Sequence, residues 1–303
     1  MSSDRGSSAK AILYAFFANL GIAVTKTGAA IGTNSGSMLA EAIHSYADCA
    51  NQVLLFLGLK QAEQAPTAEH PLGYGKVTYF WSFVVALLLF SLGGLFSIYE
   101  GWHKLHAPEP LNKVWLALLV LGIAIALESS SLIGCLNEIR KVRRGRPFRD
   151  WLRHTRNAEL VVVLGEDIAA LLGLTLAFVF VSLASVTGDT RYDAAGSIAI
   201  GVVLIFVAYF IAARIKSLLV GKSAEPALER AIDELITDDP AIERVLNTIT
   251  MQFGPQVLLA AKVKMKPGLS IETAVERINA LERNIKARHP EVGWCFVEPD
   301  VTD

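Results

Sequence analysis

Six stretches of the chain are apolar for long enough to span a lipid bilayer as helices: 11–32, 37–59, 78–102, 114–137, 158–184 and 193–219. A helical crossing takes about 20 such residues. The second and fifth stretches are the ones with acids deep inside, and glycines scattered through the spans (Gly21, Gly28, Gly93, Gly94, Gly165, Gly173) suit close helix packing in lipid. After Lys216 the pattern changes. Gly221 to Pro226 reads as a hinge-like linker, and Leu228, Ile232, Leu235 and Ile236 then recur at helical spacing. From Val245 to Phe253 the pattern alternates, which predicts a strand with Val245, Ile249, Met251 and Phe253 on one face and Thr248, Thr250 and Gln252 on the other. Gly254-Pro255 makes the turn. A second strand follows over 257–265, an amphipathic helix over 271–288 and a short strand over 292–297. The expected fold class is an α-helical membrane protein with six transmembrane helices (residues 1–220). A small cytoplasmic α+β domain in the order αββαβ (residues 223–303) follows it.

Composition agrees with this. The chain is 52% hydrophobic with a mean hydropathy of +0.42, too apolar for an ordinary soluble domain. A formal net charge of -1 gives no support for nucleic-acid binding. Three cysteines, Cys49, Cys135 and Cys295, lie far apart and form no disulfide framework. The first apolar stretch is too long for a signal peptide and reads as a retained span. Basic residues concentrate between the fourth and fifth spans, from Arg140 through Arg146 to Arg149, Arg153 and Arg156. By the positive-inside rule this places the N-terminus, the 60–77 and 138–157 loops and the C-terminal part in the cytoplasm. The same basic run is also suited to anionic lipid. The expected setting is a bacterial inner membrane.

Candidate chemistry centres on residues 41–52, Glu-Ala-Ile-His-Ser-Tyr-Ala-Asp-Cys-Ala-Asn-Gln. His44 and Asp48 are four apart and project from one helix face. An imidazole and a carboxylate are costly in hydrocarbon unless they face a bundle interior, a cavity or an ion. In the fifth span Glu166 and Asp167 are adjacent carboxylates, which repel unless a cation or protons neutralise them. Satisfied polar groups packing one helix on another would explain either cluster. One imidazole with two or three carboxylates also suits a divalent first-row ion, Zn²⁺ above all, though Mn²⁺, Fe²⁺ and Co²⁺ fit the same donors. There is no HExxH metalloprotease motif and no GxxxxGK[ST] nucleotide-binding loop, so neither proteolysis nor nucleotide hydrolysis is indicated. An ion gradient is the remaining energy source. Protons compete with metal for these ligands, His44 most readily near neutrality.

The chain resembles the cation diffusion facilitators over almost its whole length. The resemblance rests on six spans with a cytoplasmic αββαβ domain, Lys26 in span one, Ser37 through Asp48 in span two, His70-Pro71-Leu72-Gly73-Tyr74-Gly75-Lys76 in the next loop, and Asp167 in span five. His44-Ser45, Asp48, Asn51-Gln52 and Glu166-Asp167 resemble the divergent branch that includes the mitochondrial zinc transporter of animals. The resemblance implies a homodimeric antiporter that exports Zn²⁺ or a similar divalent metal ion in exchange for protons, with metal as cargo rather than cofactor. It implies metal ligands at His44, Asp48 and Asp167, and a metallochaperone-like C-terminal domain that pairs two copies. Two further readings stay open: a broader Mn²⁺/Fe²⁺/Co²⁺ transporter, and a non-transporting membrane scaffold.

Three departures from the family pattern stand out. Val163 occupies the place of the usual second ligand on span five, and Glu166 is the expected substitute, with water or Glu41 as lesser candidates. The loop metal site of some members is reduced to His70, with Thr67 and Tyr74 at its other positions. The C-terminal domain has one histidine, His289, and Cys295 without a partner cluster, so it reads as a dimerisation module rather than a metal sensor. Lys26 is expected to form an ion pair with Glu41 or with a carboxylate of span five. Glu100 and Glu128 are either packing groups or acids lining a path.

Overall fold

The computed structural model describes residues 3–107, 110–143 and 145–302, with side chains from Phe16 onward except Ala18. Long helices occupy the six apolar stretches. They are α1 (Ser3–Thr33), α2 (Gly36–Ala62), a third segment of α3 (Val77–Leu88), a π-helical stretch (Leu89–Leu95) and α4 (Phe96–His106), then α5 (Val114–Val142), α7 (Ala158–Thr187) and α8 (Arg191–Val220). Between α5 and α7, Pro147 starts the short helix α6 (Phe148–His154), inside what the sequence suggested was plain loop.

Among the described residues four helices are long and apolar enough to cross a membrane: Val77–His106, Val114–Val142, Ala158–Thr187 and Arg191–Val220. The physical reason α2 misses this measure is visible in its sequence. Glu41, His44, Ser45, Asp48, Asn51 and Gln52 fall within four turns. For α1, the side chains of the first fifteen residues lie outside the described set.

The chain divides into two compact units. One holds Met1–Gly58, Trp81–Gly145 and Glu159–Ile215; the other holds Leu59–Phe80, Arg146–Ala158 and Lys216–Asp303. The first is the helix bundle. Its interior is lined by Leu121, Leu174, Val181, Ile200, Leu204 and Ile211, all fully buried. Phe206, Tyr209, Leu119 and Val202 point outward. Such an apolar exterior is what a helix bundle presents to lipid. Backbones meet closely where α8 crosses the third segment. A Cβ on Gly201 would stand 2.6 Å from the Gly94 carbonyl oxygen, so only glycine permits that approach.

The start of α2 is tied to α8. Ser35 Oγ accepts from the Met38 amide, while Asp193, at the first turn of α8, accepts from Ser35 Oγ and the Gly36 amide, both at 2.6 Å. Asp193 also takes the Ser37 amide at 3.3 Å. These bonds satisfy amides that the first turn of any helix leaves without partners.

The second unit contains the C-terminal domain in the αββαβ order that the periodicity predicts: α9 (Pro226–Thr237), β1 (Ile242–Phe253), β2 (Gln256–Met265), α10 (Ile271–Arg288) and β3 (Val292–Pro299). The sheet order is β1-β2-β3, antiparallel then parallel. Both helices cover one face, where Ile232, Ile236, Leu259, Val263, Leu281 and Ile285 form the core. Gly254, at φ +64°, makes the β1–β2 turn. The single-face reading of β1 is corrected by an irregularity between Val245 and Asn247, which shifts the alternation by one residue. Val245 packs on the core, yet Ile249 is 58% exposed on the opposite face, while Thr250 and Gln252 are buried. Thr250 tolerates burial because its hydroxyl accepts from the Ala224 amide at 3.0 Å and donates to Glu229 Oε1.

The 221–225 linker has no regular structure but is firmly tied. Arg156 donates to the carbonyls of Ser223 and Ala224, and Arg146 pairs with Glu225 at 2.7 Å. Two members of the basic run therefore tie down the linker.

Candidate metal site in the helix bundle

The α2 residues Glu41, His44, Ser45, Asp48 and Asn51 lie at spacings of three and four, one face of the helix. That face is turned inward: all are buried save Asp48, whose side chain is 18% exposed. The opposite face carries Tyr46, Val53, Phe56 and Leu57, all exposed. The helix is thus polar inside and apolar outside, the inverse of a helix on a water-soluble core.

His44 Nε2 stands 3.7 Å from Asp48 Oδ2, too far for a hydrogen bond. Neither imidazole nitrogen has a hydrogen-bond partner, nor has Asp48 Oδ1. The ring lies beside Gly93 of the π-helical stretch, where a Cβ would come to 3.8 Å from Nδ1. π-Helical turns of this kind recur at functional sites.

On α7, Gly165 presses against α8, where a Cβ would meet Ile211 at 2.7 Å. Residues 166 and 167 follow at about 100° and 200° further round the helix. Each finds a different neighbour. Glu166 Oε1 accepts from Asn51 Nδ2 on α2 at 2.6 Å, and Asp167 Oδ1 accepts from Ser131 Oγ on α5 at 3.2 Å. Asp167 Oδ2 is left without a partner, as is Asn51 Oδ1. Asp48 lies within electrostatic reach of Glu166, Asp167 and Glu128.

The structure therefore joins His44 to Asp48, Glu166 to α2, and Asp167 to α5. It does not gather the four onto one point: among the described residues, no three His, Cys, Asp or Glu side chains stand as a group able to grip one ion. Val163 is half-buried on α7. Above the site, Lys26 Nζ donates to Glu41 Oε2 at 3.2 Å and Ser45 Oγ at 2.8 Å, and both charged groups are fully buried. Glu41 rather than a span-five acid is its partner.

Two residues of this constellation escaped the sequence reading as site members, Asn51 and Ser131. Asn51 is one turn beyond Asp48 on the same face, and Ser131 is three residues from Glu128 in the Ser129–Ser131 run of α5. Helical spacing from the named acids was the available signal. Elsewhere, the loop residues bind each other: Thr67 Oγ1 accepts from the His70 amide, and the His70 and Tyr74 rings lie 4.6 Å apart. His103 and His106 are exposed. Cys295 is buried in the C-terminal core.

Comparison with known proteins bears on this arrangement. A cation efflux transmembrane domain matches residues 12–220. The chain belongs to the cation efflux family, the cation diffusion facilitators. Its members are transporters, not enzymes, and the metal is what they carry. Similar relatives include the proton-coupled zinc antiporter SLC30A9, mitochondrial, of Xenopus laevis, 33% identical over 83% of this chain and 44% of that protein. The Homo sapiens counterpart is 31% identical over 84% of this chain and 44% of its own length. Metal tolerance protein C4 of Arabidopsis thaliana is 30% identical over 82% of this chain and 55% of its own length. The chain thus spans about half the length of these relatives. Residues 1–303 include several apolar membrane-crossing helices, and the protein is a membrane protein.

Proposed function

We propose that this protein exports Zn²⁺ in exchange for protons by alternating access. His44, Asp48 and Asp167 serve as direct ligands and Glu166 as the fourth charged group of the site. One observation carries the reading: in a cation efflux chain, both nitrogens of His44, Asp48 Oδ1 and Asp167 Oδ2 are buried without hydrogen-bond partners. Buried polar atoms normally find partners, and those that do not are unexplained unless a ligand supplies them. Bringing the α2 pair and Asp167 together requires a side-chain rotation or a small slide of α7 past α2, the kind of change that exposes a midplane site to either side in turn. Imidazole and carboxylates bind metal only when deprotonated, so proton and metal exclude each other at the same atoms.

The domain boundaries, 1–220 for transport and 223–303 for dimerisation, belong to this proposal. So do the six crossings, the bacterial inner membrane and the cytoplasmic termini, for which the basic 140–156 loop is the support. Homodimer formation is supported by the helix-free face of the sheet, where Ile249, Ala260 and Phe296 are aligned neighbours and the first and last are exposed. A second reading, with Mn²⁺, Fe²⁺ or Co²⁺ among the cargo, is favoured by the excess of oxygen over nitrogen donors.

The test is zinc flux into proteoliposomes under an imposed pH gradient. Asp48→Ala and Asp167→Ala should each abolish flux, and parental flux in either variant removes that residue from the site. Competition by Mn²⁺, Fe²⁺ and Co²⁺ in the same vesicles separates the two cargo readings.

A further inference from the structure

We infer that Asn51 is a ligand of the transported cation, its carboxamide oxygen filling the place that Val163 leaves empty, while its amide nitrogen holds Glu166. The inference rests on the metal-site reading above and deepens it. Asn51 is fully buried on the α2 face that carries His44 and Asp48, at intervals of four and three residues. About 4.5 Å along the helix axis separates Asn51 from Asp48.

Asn51 Nδ2 donates to Glu166 Oε1 at 2.6 Å, so the NH₂ end of the amide faces α7 and the oxygen turns the other way. That oxygen has no partner. A buried amide oxygen left unsatisfied is destabilising, and none of the described residues supplies it a hydrogen bond. Asp48, one turn away on the same face, is within electrostatic reach of the carboxylate that Asn51 holds.

The hydrogen bond from Asn51 Nδ2 engages Glu166 Oε1 and leaves the amide oxygen for the ion. A neutral oxygen holds divalent ions less tightly than a carboxylate, as cargo that must be released requires.

The experiment is zinc binding to the full chain in detergent micelles, by isothermal titration calorimetry, with Asn51→Leu, Asn51→Asp and Asp48→Ala. Asn51→Leu should weaken zinc binding by about ten- to a hundredfold. Asn51→Asp should restore it and raise the Mn²⁺-to-Zn²⁺ affinity ratio, since it supplies a harder oxygen. If Asn51 only positions Glu166, Asp is no rescue, because it repels that carboxylate; equal losses in Leu and Asp would overturn the ligand role. Unchanged affinity in Leu would overturn it as well. Where Asn51→Leu does not elute as a folded species, Asn51→Ser takes its place, the shorter side chain withdrawing the oxygen. Asp48→Ala separates the two levels: full zinc affinity in that variant overturns the metal site itself. Loss there with parental binding in Asn51→Leu overturns only the role of Asn51.

Discussion

Removing the ammonium of Lys26 should cost more stability than any other single change on α1. Lys26 Nζ is 3.2 Å from Glu41 Oε2 and 2.8 Å from Ser45 Oγ, with 1% and 0% exposure for the two charged side chains. Glu41 Oε1 already lacks a hydrogen-bond partner among the described residues and lies hard against Gly173 of α7. In Lys26→Met the carboxylate loses its ion-pair partner while remaining buried. Breaking a buried pair on one side costs about 3–5 kcal/mol, whereas replacing both partners by apolar residues is often neutral or stabilising. Lys26→Met should therefore fall in that range, and Lys26→Met with Glu41→Leu should recover most of the loss. The assay is unfolding in mixed detergent micelles, titrated with sodium dodecyl sulfate and followed by circular dichroism. Lys141→Met is the control, because the Lys141–Glu138 pair is exposed on both sides and should contribute almost nothing. A single variant within about 1 kcal/mol of the parent would refute the reasoning. So would a double variant as unstable as the single one.

Two further outcomes concern the second unit. Thr250→Val removes both the acceptor for the Ala224 amide and the donor to Glu229. It should cost about 1–3 kcal/mol locally, read as faster deuterium uptake at 222–230, and unchanged uptake would contradict the role given to that hydroxyl. Burial, with the Glu282 carboxylate adding, pushes the Cys295 thiol up to about 11. Only the thiolate reacts, so in a Cys49→Ala, Cys135→Ala background its alkylation should climb about tenfold per pH unit past pH 9; a plateau there would refute the shift.

Much of the helical architecture was legible because hydrophobic length and periodicity are set residue by residue. The αββαβ order was legible for the same reason. What the pattern could not carry was anything that depends on how one element meets another. Glu166 and Asp167 are neighbours in sequence but about 100° apart on the helix, and the sequence does not say which neighbour each one meets. The structure resolves this by giving them different helices, α2 through Asn51 and α5 through Ser131. The face of β1 was misread because one irregularity between Val245 and Asn247 reverses the alternation, and no residue there announces it. Arg146 and Arg156 were counted as a charge run, although their partners are carbonyls and a carboxylate some 67 to 79 residues away in the chain.

The same limit explains why the most informative helix is the one that reads least like a membrane span. α2 is the scaffold on which His44, Asp48 and Asn51 are aligned, and each of them lowers its hydropathy. A span that buries so many polar groups must compensate for their cost through neighbours. Here the neighbours are identifiable: Lys26 for Glu41, Asp193 for the first-turn amides, and Glu166 for the amide of Asn51. The unpartnered atoms on His44, Asp48, Asn51 and Asp167 lie on α2 and α7, which the Asn51–Glu166 hydrogen bond joins; among the other described residues Glu41, Gln52, Ser82, Trp151 and Thr248 each leave one buried atom unpartnered as well. The concentration of imidazole, carboxylate and carboxamide groups on those two helices, rather than the lack of partners alone, is the physical argument for the proposed cation.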